Sequence, residues 1–137
     1  MKREMRRIRQ LMSAEDNIKV LDRNTNGVLS LTGDEGYPYT VPLSYVYHEG
    51  KVYFHGHTSG YKIDAVKQSE KAAFCVVDAD LVDGPAYSTT YRSVICYGRP
   101  RIVEAADEKL LALQVLGRKY NKGVADESLN AFIGKEF

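Results

Sequence analysis

The segment YPYTVPLSYVY, residues 37–47, reads as a β-strand, yet it carries Pro38 and Pro42. Proline has no N–H to give to a sheet ladder, so such a strand belongs at an edge, at a bulge or beside a ligand. The flanking segments are strands too. VLSLT (28–32) precedes it across the turn GDEG (33–36), and VYFHG (52–56) follows across HEGK (48–51), giving a three-stranded meander. KAAFCVVD (71–78) and TTYRSVICYGRPRIVE (89–104) are further strands. In the latter Tyr91, Ser93, Ile95 and Tyr97 alternate with Arg92, Val94 and Cys96, while Gly98 and Pro100 mark a bulge or bend of the kind that closes barrels. DADLVDGPAYST (78–89) is expected to be a long loop, and long loops inside compact domains are more often functional than idle.

Helical signals punctuate the strands. Ser13 is placed to cap a helix over Ala14–Arg23, with Glu15 and Asp16 in the first turn and Asn24, Asn26 and Gly27 ending it. SGYKIDAVKQS (59–69) predicts a short helix with Ser59 as cap and Ile63 and Val66 on one face. Residues 107–120 space Leu110, Leu111, Leu113, Val115 and Leu116 as one amphipathic helix against the strands. The expected fold class is mainly β, a β-barrel with flanking helices. At 137 residues with 44% hydrophobic content the chain supports one core, so residues 1–137 are taken as a single domain, with 1–12 a basic N-terminal arm.

Lys and Arg total 19 against 18 Asp and Glu, a net charge of +1 that offers no global field for nucleic acid or a membrane. The arm, with Lys2, Arg3, Arg6, Arg7 and Arg9, is expected to be solvated: no aromatic residue is interleaved and no second basic block follows. No nucleic-acid or membrane partner is therefore expected. No uncharged apolar run approaches the roughly 20 residues of a spanning helix, and no secretory apolar stretch opens the chain, so a cytoplasmic location is expected. Cys75 and Cys96 lie in apolar strand segments without CxxC spacing and read as reduced core residues.

Three segments carry candidate chemistry. In HGHTSGYK (55–62) a strand ends in small polar residues and a helix begins. Backbone N–H groups there, the hydroxyls of Thr58 and Ser59, the flexibility of Gly60 and the charge of Lys62 suit a phosphate, although an ordinary capped turn would look similar. His55 and His57 are two apart, but no third ligand accompanies them, so no metal is expected. TVPLSY (40–45) offers an apolar wall and unpaired backbone groups to a planar ligand, or is simply a bulged edge strand. YRSV (91–94) offers stacking, charge and hydroxyl groups, or is plain surface and core alternation. No GxSxG, Cys–His pair or paired catalytic carboxylates support a hydrolase.

Taken in order, these motifs resemble the pyridoxamine-5′-phosphate-oxidase-like FMN-binding split barrels, in particular the branch of nitroimidazole-resistance proteins. The likeness runs from RRIRQLMSAEDNIKVLDRNTNGVLSL through GYPYTVPLSYVYHEGKVYFHGHTSGYKIDAVKQSEKAAFCV to YRSVICYGRPRIVE and the helix after it. It implies FMN at a homodimer interface, with both subunits contributing. Val41, Pro42, Leu43 and Ser44 match the ring-contacting strand; His55, Gly56, His57, Gly60 and Lys62 match the phosphate turn. Tyr91, Arg92, Ser93 and Val94 match the segment that approaches the flavin from the partner subunit. The residues with which oxidase members grip pyridoxal phosphate are not recognisable, so vitamin oxidase activity is not expected. The chain stops at FIGKEF, about where many members continue or finish a last strand, leaving an exposed barrel edge as the expectation.

The function that follows is an FMN-dependent oxidoreductase, a reductase passing electrons from a reduced nicotinamide donor through FMN to a small acceptor such as a nitro-aromatic. No acid, base or nucleophile stands out as catalytic, as expected where the cofactor carries the chemistry. The alternative is a protein that stores or senses FMN or haem without turnover, which His55 and His57 keep open.

Overall fold

The computed structural model describes residues 3–56 and 59–121. Helix α1 (Ala14–Arg23) starts as the sequence predicts, with the Asp16 N–H donating to Ser13 Oγ at 3.1 Å. Asn24 closes it, its side-chain amide donating to the Val20 carbonyl at 2.8 Å. Asn26 and Gly27 do not extend that stop; they open strand β1 (Asn26–Thr32). Gly27 is needed there because the Phe74 ring passes over its backbone: a Cβ would sit 2.2 Å from Phe74 Cζ.

Strand β2 (Pro38–Ser44) pairs antiparallel with β1, from Asn26↔Ser44 to Thr32↔Pro38. Strands β5 (Ala72–Asp83) and β6 (Ser88–Gly98) complete a sheet of order β2-β1-β5-β6, so the strand with two prolines lies at an edge. Residues 37–47 are not one strand, however. At Tyr45 the chain leaves this sheet, and β3 (Val46–His48) pairs with β4 (Lys51–Tyr53) in a separate hairpin. Glu49 (φ 47°) and Gly50 (φ 82°) form its turn, both left-handed as a tight hairpin between right-twisted strands requires. Tyr45 itself is completely buried, and its hydroxyl donates to the Leu21 carbonyl at 2.6 Å.

Leu29, Leu31, Phe74, Val76 and Val94 line the inner sheet face and pack with Val20, Leu21, Tyr45 and Ala65. Tyr47 and Val52 join that core from the hairpin, whereas Val46 and Tyr53 turn the other way, onto Ala112 and Val115 of α3 (Ala106–Tyr120). Helix α3 thus buries small residues; Leu110 and Leu111 of the predicted apolar face are exposed. Its end is anchored by Tyr120, whose hydroxyl accepts from the Tyr45 N–H at 3.0 Å. Helix α2 (Tyr61–Gln68) rests on β1, and just beyond it Ser69 Oγ accepts from the Thr32 N–H at 2.9 Å. The whole is a mainly β split barrel with flanking helices.

Two expectations about the long strands fail. Residues 78–89 form no long loop, for β5 and β6 run through them and the Asp83↔Ser88 pair leaves only residues 84–87 as a turn. This outer part has Leu81 and Val82 exposed, so no buried face imposes an alternation by which it could be recognised. The bend is also displaced: the ladder shifts register between Val77 and Ala79, while β6 ends at Gly98 and residues 99–104 form no strand.

Candidate functional site

The turn from β4 into α2 keeps several of its expected features. Gly60 is the residue before α2, with φ 121°, and among the described residues no side chain caps the helix, so Ser59 does not play that part. Lys62 folds back over the turn: a Cβ on Gly56 would lie 3.4 Å from Lys62 Nζ. An uncapped helix start with an ammonium group over adjacent backbone is chemically suited to a phosphate. His55 and Gly56 are exposed at the turn, while His57 lies outside the described residues. Among the described residues no three His, Cys, Asp or Glu side chains gather as metal ligands.

The Pro-containing strand is divided by its own pleat. Val41 and Leu43 pack against the core, whereas Pro42 and Ser44 face outward. The segment Tyr91, Arg92, Ser93 and Val94 is divided likewise, with Val94 buried in the core and Tyr91 and Ser93 on the outer side. The four candidates of each segment therefore do not act on one face. Pro42 pairs with Val28, Val28 with Cys75 and Cys75 with Ile95, a row of side chains across the outer face. With Val77 and Tyr97, both more than half exposed, this row makes an open apolar stripe on the outer face.

Arg92 also meets a carboxylate within the chain. The displaced bulge turns Asp78 inward, where its side chain is only 7% exposed. Its carboxylate accepts from Arg23 (2.7 and 2.5 Å), Arg92 (2.7 Å) and Asn24 (2.8 Å). Those donors hold the Asp78 carboxyl well below its usual range, the Arg23 bond first among them. The cluster ties α1 to both long strands, so Arg92 is orientated by protein. Burial pushes the Cys96 thiol up, which suits an inert core residue, and neither cysteine is in a disulfide.

Two residues that the sequence did not single out join the turn to β2. The Tyr39 and Tyr61 rings stack with centroids 4.3 Å apart and planes 9° from parallel. The Tyr61 hydroxyl also accepts from the Asp34 N–H at 2.9 Å, and Gly33 is small because that hydroxyl approaches it. The phosphate-suited turn and the Pro-containing strand are thereby neighbours, while the segment 91–94 lies on the opposite edge of the sheet.

The model of the pyridoxamine 5′-phosphate oxidase family matches residues 13–132, and the chain belongs to that family. No match was found among curated protein sequences. Among solved structures it is similar to a candidate 5-nitroimidazole antibiotic resistance protein from Bacteroides thetaiotaomicron (TM-score 0.73, 23% identity, 87% of this chain and 75% of that one). It is also similar to an FAD-binding protein from Mesorhizobium loti (0.57, 28% identity, 73% and 69%). An FAD and haem binding protein from Mycobacterium smegmatis aligns too (0.70, 23% identity, 88% and 63%).

Proposed function

We propose that this chain binds FMN between two copies of itself and works as a reductase, taking electrons from NADH or NADPH and delivering them to a small acceptor such as a nitro-aromatic. The observation that carries the reading is the separation of its candidate segments. Edge strands β2 and β6 are three strand spacings apart, roughly 14 Å, so one chain does not bring Pro42 and Ser44 to the same ring as Tyr91 and Ser93. A second copy set against the open outer face would. Family membership and an FAD-binding neighbour support a flavin as the cofactor.

Lys62 and the first amides of α2 hold the phosphate. Pro42 and Ser44 meet the ring from one subunit, and Tyr91 and Ser93 approach from the other. Bound flavin would supply the redox chemistry, two-electron transfer between a reduced nicotinamide and the acceptor. The protein's contribution is to hold the ring and exclude water between two apolar sheet faces.

The test is a visible spectrum of protein mixed with FMN and freed of excess. Shifted flavin bands at about one per protomer are expected, with Lys62→Ala weakening binding by about 1–3 kcal/mol, the range for bonds to charged groups. No retained flavin sinks the reading. Retained flavin that neither NADH nor NADPH bleaches leaves binding without reductase activity. The haem alternative has the Mycobacterium smegmatis neighbour in its favour. It predicts a Soret band on adding haemin that His55→Ala abolishes.

A further inference from the structure

The basic arm is exposed over residues 3–11, as expected, but it has a neighbour. It lies along the outer part of the β5–β6 hairpin, where the Tyr91 hydroxyl donates to Gln10 Oε1 at 3.0 Å. Between arm and hairpin runs a groove of about 560 Å³ lined by Met5, Arg6, Arg7, Tyr87, Ser88 and Tyr91. The sequence shows no aromatic residue near the arginines, but folding brings two phenol rings to them from more than 75 positions away.

Charge in this groove is uncompensated. Arg23, Arg92 and Arg101 each meet a carboxylate oxygen within 2.7 Å, whereas Arg6 and Arg7 meet none among the described residues. Residues 3–12 hold four arginines and one glutamate, a local balance of 4 − 1 = +3. Guanidinium groups recognise phosphate through paired N–H donors, and exposed phenol rings stack on bases. The groove falls within the roughly 300–1,000 Å³ of small-molecule sites. A polynucleotide would need a longer basic track, and the hairpin beyond the groove exposes Asp80 and Asp83 instead.

We propose that this groove binds a nucleoside diphosphate, with Arg6 and Arg7 on the phosphates and Tyr87 stacked on the base. Its use, which rests on the reductase reading, is to dock the adenosine diphosphate half of the dinucleotide donor. Tyr91 borders both this groove and the segment assigned to the flavin, so the nicotinamide end is directed toward the cofactor. Binding of the diphosphate itself does not depend on that reading.

Isothermal titration of the full chain with ADP, inorganic pyrophosphate and a single-stranded oligonucleotide tests it. ADP is expected to bind more tightly than pyrophosphate. Arg6→Ala with Arg7→Ala is expected to weaken ADP at least about ten-fold, the scale of a lost charge-assisted bond. Tyr87→Ala should weaken ADP but not pyrophosphate. All three side chains are exposed and none belongs to the flavin set, so folding and FMN retention should be unchanged. Absent ADP binding, equal affinity for pyrophosphate, or tighter and steeply salt-dependent oligonucleotide binding each overturns the proposal. FMN retained without ADP binding removes the groove alone; ADP bound without FMN removes the flavin reading alone.

Discussion

The two faces of the four-stranded sheet are equally apolar along their central rows but differ in what covers them. Inward, Leu29, Phe74, Val76 and Val94 are buried beneath α1 and the β3–β4 hairpin. Outward, Val28, Val77, Ile95 and Tyr97 stand open, each at least 40% exposed. A sheet with one apolar face packs that face alone; a second apolar face calls for another layer. The inner face therefore belongs to folding, and the outer face is the one we propose for assembly. Substitutions on the two should fail in different ways.

The largest effect is expected on the inner face. Gly27→Ala forces a methyl against the Phe74 ring, which cannot withdraw because it is packed edge-on to Tyr45 and Phe54 at 4.9 and 5.1 Å. A loss of about 3 kcal/mol in urea denaturation is expected, the upper range for overpacking. Adding Phe74→Leu should recover part of it, and a purely additive double variant would mean that the ring is not the obstacle.

Asp78 tests how the inner side tolerates charge. Asp78→Asn should cost about 2 kcal/mol at pH 7, since charge-assisted bonds to Arg23 and Arg92 are weakened together. Because folding lowers this carboxyl's pKa below its ordinary 3.8, its contribution is complete above that value and fades as pH falls through the lowered one. The deficit of the variant should therefore shrink in acid. A deficit that is the same at pH 7 and in strong acid would point to lost packing instead.

On the flank covered by α3 the same logic applies to a more exposed pair. Glu108 is lowered from 4.5 to about 2 by bonds from Arg101 (2.6 and 2.9 Å) and Tyr53 (3.0 Å). Its contribution is present above pH 4.5 and lost between 4.5 and about 2. Thermal unfolding should show a fall in that window, and Glu108→Gln should flatten it. A fall of unchanged size would assign it to other carboxylates.

Local signals in the chain were legible and nonlocal ones were not. The capped start of α1 follows from chemistry within a few residues of Ser13, and the edge position of the proline strand is one of the three places that Pro38 and Pro42 allow. The outer end of β5 escaped because residues exposed on both sides show no period. The division of Val41 from Pro42 and of Val94 from Ser93 is set by pleat, which spacing alone announces once the strand is accepted. The role of Arg92 was beyond reach: its carboxylate partner is turned inward by a bulge, and the other guanidinium on it comes from Arg23, 55 positions away from Asp78.

The smallest effect on folding is expected on the outer face, and it decides the comparison. Ile95→Asp places a charge where Ile95 is 55% exposed, opposite Cys75 and in the row that reaches Pro42. A surface substitution of this kind changes the stability of the single chain by no more than about 0.5 kcal/mol. Between two apposed sheets the same carboxylate would be buried without a partner, which costs several-fold more and should split the pair. Sedimentation velocity should show the unsubstituted chain as a dimer and the variant as a folded monomer with reduced FMN retention. If the variant stays dimeric and holds FMN normally, the outer face is not where two copies meet, and the open apolar row must serve another partner.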